Sequence, residues 1–300
     1  MSQNRAEEKV YDIAGVKAGG KPGEYPTILI GSIFFSGHKI VSDSLKGIFD
    51  KAKAKELLDR EGEAAERTGN PRIIDVIGDT AQALINYMEF VAQHTSAPIL
   101  VDSFSQKARL EALRHFAGTE ILPRIVYNSI NEGYTEEELA CLRDCGVKTS
   151  IILAFSVKTP KPTQRVKLLT EKLLPAAERA GIENILVDPG VLDIPSIGWT
   201  TLAIREIKNA YGYACGCAPS NALFTWEKLR AQGQPAFEAA AAATFTFLQA
   251  SGANFLYYGP IRNAPWVYTA VATADAMIAY EARMSGVKPA SDKHPLYRIL

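Results

Sequence analysis

Cysteine is scarce in this chain, with four residues in 300. That is too few for a disulfide framework and suits a reducing compartment, so a cytoplasmic protein is expected. An excess of one charge is also missing, since 33 Lys and Arg face 33 Asp and Glu. Bulk electrostatics therefore offers nothing to nucleic acid, and none is expected as a partner. The N-terminus, MSQNRAEEKVYD, has no apolar core of the kind a signal peptide needs. Nor is there a long hydrophobic run. The nearest candidate, AFEAAAAATFTFLQASGANF, is rich in alanine and carries Glu238 and Gln249. It reads as a buried helix and a turn, and no membrane insertion is expected. Histidine is rare: His38, His94, His115 and His294 show no spacing that pairs them with a second ligand at a strand end, so no metal is expected on this chain. A glycine-rich phosphate loop is absent. No G-x-G-x-x-G follows the first apolar run, which disfavours a dinucleotide-binding sheet. Without a Pro/Ser-rich linker or low-complexity tract, the chain reads as one domain.

What is present is a regular alternation. Short runs rich in Ile, Val, Leu and Tyr recur eight times: TILIGSIFF (27–35), RIIDVIG (72–78), PILVDS (98–103), RIVYNS (124–129), TSIILAFS (149–156), NILVDPG (184–190), YGYACG (211–216) and NFLYYG (254–259). They are too short for buried helices and read as strands. Helical signatures lie between them. Asp79 with Gln82 reads as a cap, and Thr135 with Glu138 as a capping box stopped by Gly146. Pro175 should kink its helix by removing one hydrogen bond. Strand and helix in alternation predict a parallel sheet with right-handed crossovers. Count and length fit closure into a (β/α)8 TIM barrel over residues 27–285, with an open doubly wound sheet as the alternative. Residues 1–26 read as an extension packing on the barrel's N-terminal face, and 286–300 as a C-terminal tail.

The C-terminal ends of barrel strands face the active site. Read in order, those ends carry Ser32, Asp75, Asp102 and Ser103, Asn128 and Ser129, Ser156, Asp188 and, in CAPSN, Asn221. Any one of these suits a cap or turn. Several converging on one mouth suit a flat heterocycle that presents an amino group and a ring N–H. An ionised Asp accepts both donors in a charge-assisted pair, and Asn serves carbonyl and ring nitrogen. A pterin has such an edge.

The segments LVDSFSQKA, VYNSIN, LVDPG and CAPSN, in this order at strands three, four, six and seven, resemble the pterin-binding methyltransferase barrels. PTILIGSIFFSGHKIV, GIFDK and ERTGNPRIIDVIGDT extend the resemblance over nearly the whole chain to the family of the H subunit of tetrahydromethanopterin S-methyltransferase and its methylcobamide:tetrahydrofolate methyltransferase relatives. The resemblance implies a pterin-binding TIM barrel that moves a methyl group between N5 of a tetrahydropterin and the cobalt of a corrinoid protein. It implies that Asp102, Asn128 and Asp188 hold the pterin edge, with Asp75 and Ser103 beside them, and that Asn221 lies near N5. There Asn221 would donate a hydrogen bond that strengthens as charge develops. A homodimer is implied as well. Two positions depart from the wider folate-type barrels: Gly31-Ser32 stands where those have Gly-Glu, and Ile77 where they have Asn.

The nearest match to a corrinoid-binding D-x-H-x-x-G is DKHPLY (292–297), which has no glycine and lies at the chain end, so methylcobamide should arrive on a separate protein. Tetrahydrofolate is the expected pterin, by analogy with free relatives. A tetrahydromethanopterin-specific component of a membrane methyltransferase complex, or a non-catalytic pterin-binding subunit, is the alternative. The loop SVKTPKPTQRVK (156–167), with Lys158, Lys161, Arg165 and Lys167, suits a glutamyl tail or a solvated charged surface. Cys215 with Cys217, and Cys141 with Cys145, read as buried packing more readily than as a zinc thiolate site. Dihydropteroate synthase shares a DSFS-like loop, but there it follows the first strand, whereas here it follows the third.

Overall fold

The computed structural model describes residues 6–299. Eight parallel strands close into a barrel. A hairpin precedes them, β1 (Val10–Ile13) and β2 (Val16–Gly19). The first barrel strand is β3 (Ile28–Ile33). A small excursion follows, β4 (Val41–Asp43) and β5 (Ile48–Phe49). The barrel continues with β6 (Arg72–Ile77), β7 (Ile99–Asp102), β8 (Ile125–Ile130) and β9 (Thr149–Leu153). It ends with β10 (Asn184–Asp188), β11 (Ala214–Cys217) and β12 (Phe255–Pro260), which pairs back onto β3. The closed ring excludes the open doubly wound sheet.

The core has two layers. Inside the ring lie Ile28, Ile30, Ile73, Leu100, Val126 and the matching residues of the other strands, with Ile13 and Ala18 of the hairpin packed into the same cluster. Between strands and helices lies the larger apolar shell. At the other end of the chain the short helix Pro295–Arg298 buries Leu296 against Ala276 and Ala279 of the helix Ala264–Ala282.

Local signals explain the element ends, with three corrections. Thr80, not Asp79, caps the helix Ala81–His94, its hydroxyl accepting from the Ala83 N–H. Both residues are good caps, and the extended backbone falls at Thr80. Tyr211 ends the helix Ile197–Tyr211 and does not begin a strand; Gly212 stops that helix in the left-handed conformation, and β11 starts at Ala214. Pro175 follows one π-helical turn, Leu169–Leu173, where the wider turn relieves the clash between its ring and the preceding carbonyls. The capping box of Thr135 and Glu138 and the stop at Gly146 form as expected.

Candidate functional site

Strand parity decides what lines the barrel mouth, because successive side chains alternate faces. Ile30, Ile73, Leu100, Val126, Ile151, Leu186 and Phe255 belong to the interior cluster. Two residues further along the same strands stand Ser32, Asp75, Asp102, Asn128, Leu153, Asp188 and Tyr257, and all line one cavity of about 650 Å³. The interior is apolar up to one level and, apart from Leu153, polar at the next. Ser103, Asn221 and the Gly190 loop complete the wall. All six residues singled out from the sequence, Asp75, Asp102, Ser103, Asn128, Asp188 and Asn221, therefore meet at this cavity.

The carboxylates are held differently. Asp75 is 3% exposed. Its Oδ2 accepts from Ser32 Oγ at 2.6 Å, and its buried Oδ1 has no partner among the described residues. Burial and the neighbouring Asp102 charge push its carboxyl well up, against the pull of the Ser32 hydroxyl. Asp102 is half-buried and stands opposite Asn128 across β7 and β8. Burial raises it to about 6, opposed by the Arg109 guanidinium and by hydrogen bonds from Asn128 and the Ser103 N–H. Asp188 is raised by burial to about 7, opposed by the Gly190 N–H and the Arg165 charge. Asp102 and Asp188 thus stand ready to hold or release a proton near neutrality, with the carboxyl of Asp75 pushed up beside them, the pattern expected where acids and bases face a ligand.

The support behind them is built from distant parts of the chain. Asp188 Oδ1 accepts from Gly190 N at 2.6 Å. Gly190 sits at φ +78°, where a Cβ would also collide with the Phe155 ring, so glycine is required. The Gly190 carbonyl accepts from Arg165 Nη1 at 3.0 Å and Thr200 Oγ1 at 2.6 Å. Arg165 is only 1% exposed, with its guanidinium 5.0 Å from the Phe155 ring. That removes it from the basic loop read as a tail-binding surface: it is buried against the Asp188 turn. Lys158, Lys161 and Lys167 stay exposed. On the other side Arg109 donates to Tyr127 Oη at 3.1 Å and to the Ser103 carbonyl. Glu138, already the capping-box acid, accepts from Tyr127 and from Gln106 Nε2 at 2.7 Å.

The stretch after β7 both starts a helix and lines the cavity. Ser105 caps the helix Gln106–Phe116, and Ser103 Oγ accepts from the Ser105 N–H at 3.1 Å. Asp102 faces the cavity. Asn221 lies in the first turn of the helix Pro219–Thr225 on the exposed rim, and among the described residues its side-chain amide has no protein partner. Ser156 does not join the site; its hydroxyl accepts from the Lys158 N–H in a turn.

Sequence reasoning missed Tyr257. Its hydroxyl is buried without a partner among the described residues, and burial together with Asp75, Asp188 and Asp102 pushes its pKa well up, so it stays a donor. Parity counted from Phe255 gives the signal. Phe104, fully exposed at the lip, was also passed over.

The cysteines face away from the mouth. Cys215 and Cys217 lie in the shell between strands and helices, and burial raises both thiols, Cys215 to about 12. Among the described residues no group of three or more His, Cys, Asp or Glu is placed to hold a metal ion. His294 of DKHPLY is buried, its Nδ1 accepting from the Leu296 N–H at 3.1 Å.

The family model of the tetrahydromethanopterin S-methyltransferase MtrH subunit matches residues 6–290. The chain is similar to the H subunit of tetrahydromethanopterin S-methyltransferase from Methanopyrus kandleri, 36% identical over 96% of each chain. It is also similar to that of Methanocaldococcus jannaschii, 36% identical over 98% of each. Among solved structures, the Yersinia pestis dihydropteroate synthase with a pterine-sulfa conjugate superposes with a TM-score of 0.64 at 13% identity, covering 93% of this chain and 100% of that one. The Xanthomonas albilineans dihydropteroate synthase with 7,8-dihydropteroate gives 0.61 at 17% identity, covering 89% and 98%. At such identities the solved structures speak for the barrel alone.

Proposed function

We propose that this chain, which belongs to the family of the tetrahydromethanopterin S-methyltransferase MtrH subunit, binds a tetrahydropterin in the barrel mouth and moves a methyl group between its N5 and a corrinoid carried by another protein. The observation that carries the reading is the polar ring of Asp75, Asp102, Asn128, Asp188 and Tyr257 at one level of the barrel. Five polar groups on one apolar floor suit a flat polar heterocycle and little else. The pterin is tetrahydromethanopterin. The sequence alone leans to tetrahydrofolate, but the curated relatives at 36% identity are named for tetrahydromethanopterin, and this supports the alternative.

Each residue then has a role its geometry supports. Asp188 accepts the 2-amino and N3 hydrogens in a charge-assisted pair. Asp102 and Asn128, facing each other across two strands, take the neighbouring edge. Asp75, its carboxyl pushed up by burial and by the Asp102 charge, offers the ligand its unpartnered oxygen. Ser103 acts through the turn that aims Asp102.

When the pterin receives the methyl group, the N5 lone pair forms the new C–N bond. The cobalt–carbon electrons stay on the cobalt, and N5 releases its proton. In reverse, N5 must be made a better leaving group, and the free Asn221 amide can donate to it. A preorganised donor of this kind contributes about 2.7–4 kcal/mol elsewhere. The corrinoid supplies the methyl-carrying cobalt and docks over the open mouth on its own protein. No described helix is long and apolar enough to cross a membrane, so attachment to a membrane complex would run through partner proteins. A cytoplasmic location, from the cysteine content, and a homodimer, as the resemblance implies, complete the proposal.

The test is methyl transfer between methylcobalamin and tetrahydromethanopterin by the purified chain, followed by cobalamin absorbance. Transfer that Asp188→Asn abolishes supports the reading. Pterin binding with no transfer to any corrinoid, free or protein-bound, would reduce the chain to a binding component.

A further inference from the structure

A second cavity, of about 490 Å³, lies beside the mouth and is lined by Phe224, Phe237, Trp266, Arg230, Arg262 and Glu238, among others. It is continuous in the chain with the pterin cavity at two points. Asn221 faces the mouth and Phe224 the second cavity, three residues apart on the helix Pro219–Thr225, a spacing that puts their Cβ atoms about 5–6 Å apart. Gly259, at the end of β12, borders the mouth, and Arg262 borders the second cavity three residues later.

Its chemistry is specific. Three aromatic side chains form one part of the lining. Arg230 and Arg262 are exposed, and among the described residues neither guanidinium has a hydrogen bond or ion pair. Of the charged side chains there, Glu238 alone is acidic, and it already accepts from Gln234 Nε2 at 2.9 Å. The Trp266 Nε1–H is buried with no acceptor among the described residues. Two free cations, one orphan donor and an aromatic wall call for a ligand with an aryl ring followed by an anion.

We propose that this cavity binds the arm of the tetrahydropterin, its arylamine ring against Phe224, Phe237 and Trp266, and its carboxylate or phosphate on Arg230 and Arg262. The inference rests on the pterin reading of the mouth and assigns the second half of that ligand. It moves arm recognition from the basic loop after β9 to the loops after β11 and β12.

The experiment compares three ligands by calorimetry on the full chain: tetrahydromethanopterin, tetrahydrofolate, and 6-methyltetrahydropterin, which has the pterin but no arm. The protein is wild type, Arg230→Gln, Arg262→Gln and the double variant. Each lost charge-assisted bond should weaken arm-bearing ligands about tenfold to a hundredfold. Binding of 6-methyltetrahydropterin should be unchanged. Added salt should weaken arm-bearing ligands in the wild type and much less in the double variant. A loss confined to tetrahydrofolate would identify the glutamyl carboxylates as the anion, and one confined to tetrahydromethanopterin its phosphate-bearing arm; either supports the site. Unchanged affinity for both arm-bearing ligands, or an equal loss for 6-methyltetrahydropterin, would overturn the arm site while leaving the pterin reading intact. Failure of all three ligands to bind the wild type would overturn both.

Discussion

Ser32 donates its hydroxyl to one oxygen of Asp75 at 2.6 Å, while the other oxygen of that carboxyl is buried and has no partner among the described residues. An unsatisfied buried acceptor costs about 1–3 kcal/mol. It lies in the wall of the cavity, where the proposed pterin would complete the hydrogen bonding. Asp75→Ala should therefore weaken pterin binding about tenfold or more while leaving the fold intact, measured by calorimetry beside a thermal melt. Equal pterin affinity in Asp75→Ala would remove this residue from the site.

Asp188 supplies the clearest pH dependence. Its folded pKa, about 7, lies above its ordinary value of 3.8. Stability from this group is fully present below about pH 4 and is lost as pH rises through 7. Asp188→Asn escapes that loss and should be more stable at pH 8 by about 2 kcal/mol, with no such gain at pH 4. The same variant should lose pterin binding. In the wild type, pterin affinity should fall about tenfold per pH unit below 7, because binding to the ionised form must displace a proton. A flat affinity between pH 5.5 and 8 would show that the ligand does not read the Asp188 charge.

On the proposed reading, Asn221 should contribute little to holding the ring and much to the transfer step. Asn221→Ala should lower kcat by about a hundredfold to a thousandfold, with pterin Kd within about threefold of wild type. A matching loss in Kd and kcat would make it a binding residue only.

Arg165 is a structural prediction. It donates to the carbonyls of Pro160 and Gly190 and to Thr200 Oγ1. Arg165→Met should leave those acceptors short and loosen the Gly190 turn. The expected cost is about 2 kcal/mol or more of stability, with weaker pterin binding through Asp188. A variant as stable as wild type would show that solvent reaches this cluster.

The barrel and most of its mouth were legible in the sequence because both rest on short-range patterns. An apolar run ending in Asp or Asn names its own position, and Asp75, Asp102, Asn128 and Asp188 follow from it. What was illegible depends on contacts far apart in the chain. Arg165 looks like its exposed lysine neighbours, and its burial rests on distant partners, the Gly190 carbonyl twenty-five residues on and Thr200 thirty-five residues on. Tyr257 and Tyr258 are indistinguishable in the letters. Parity turns Tyr257 inward, while Tyr258 points out to Glu61, its hydroxyl filling the space where a Gly31 side chain would begin. The shift from Asp79 to Thr80 is one residue between two equally good caps.

The central claim is that this ring of polar groups holds a tetrahydropterin. The measurement to make first is a calorimetric titration of the purified wild-type chain with tetrahydromethanopterin and, in parallel, tetrahydrofolate at pH 7.5. Saturable binding of tetrahydromethanopterin, tighter than that of tetrahydrofolate and lost in Asp188→Asn, is the expected result. Tighter binding of tetrahydrofolate would reverse the choice of pterin. Absence of binding by both would contradict the account at its root.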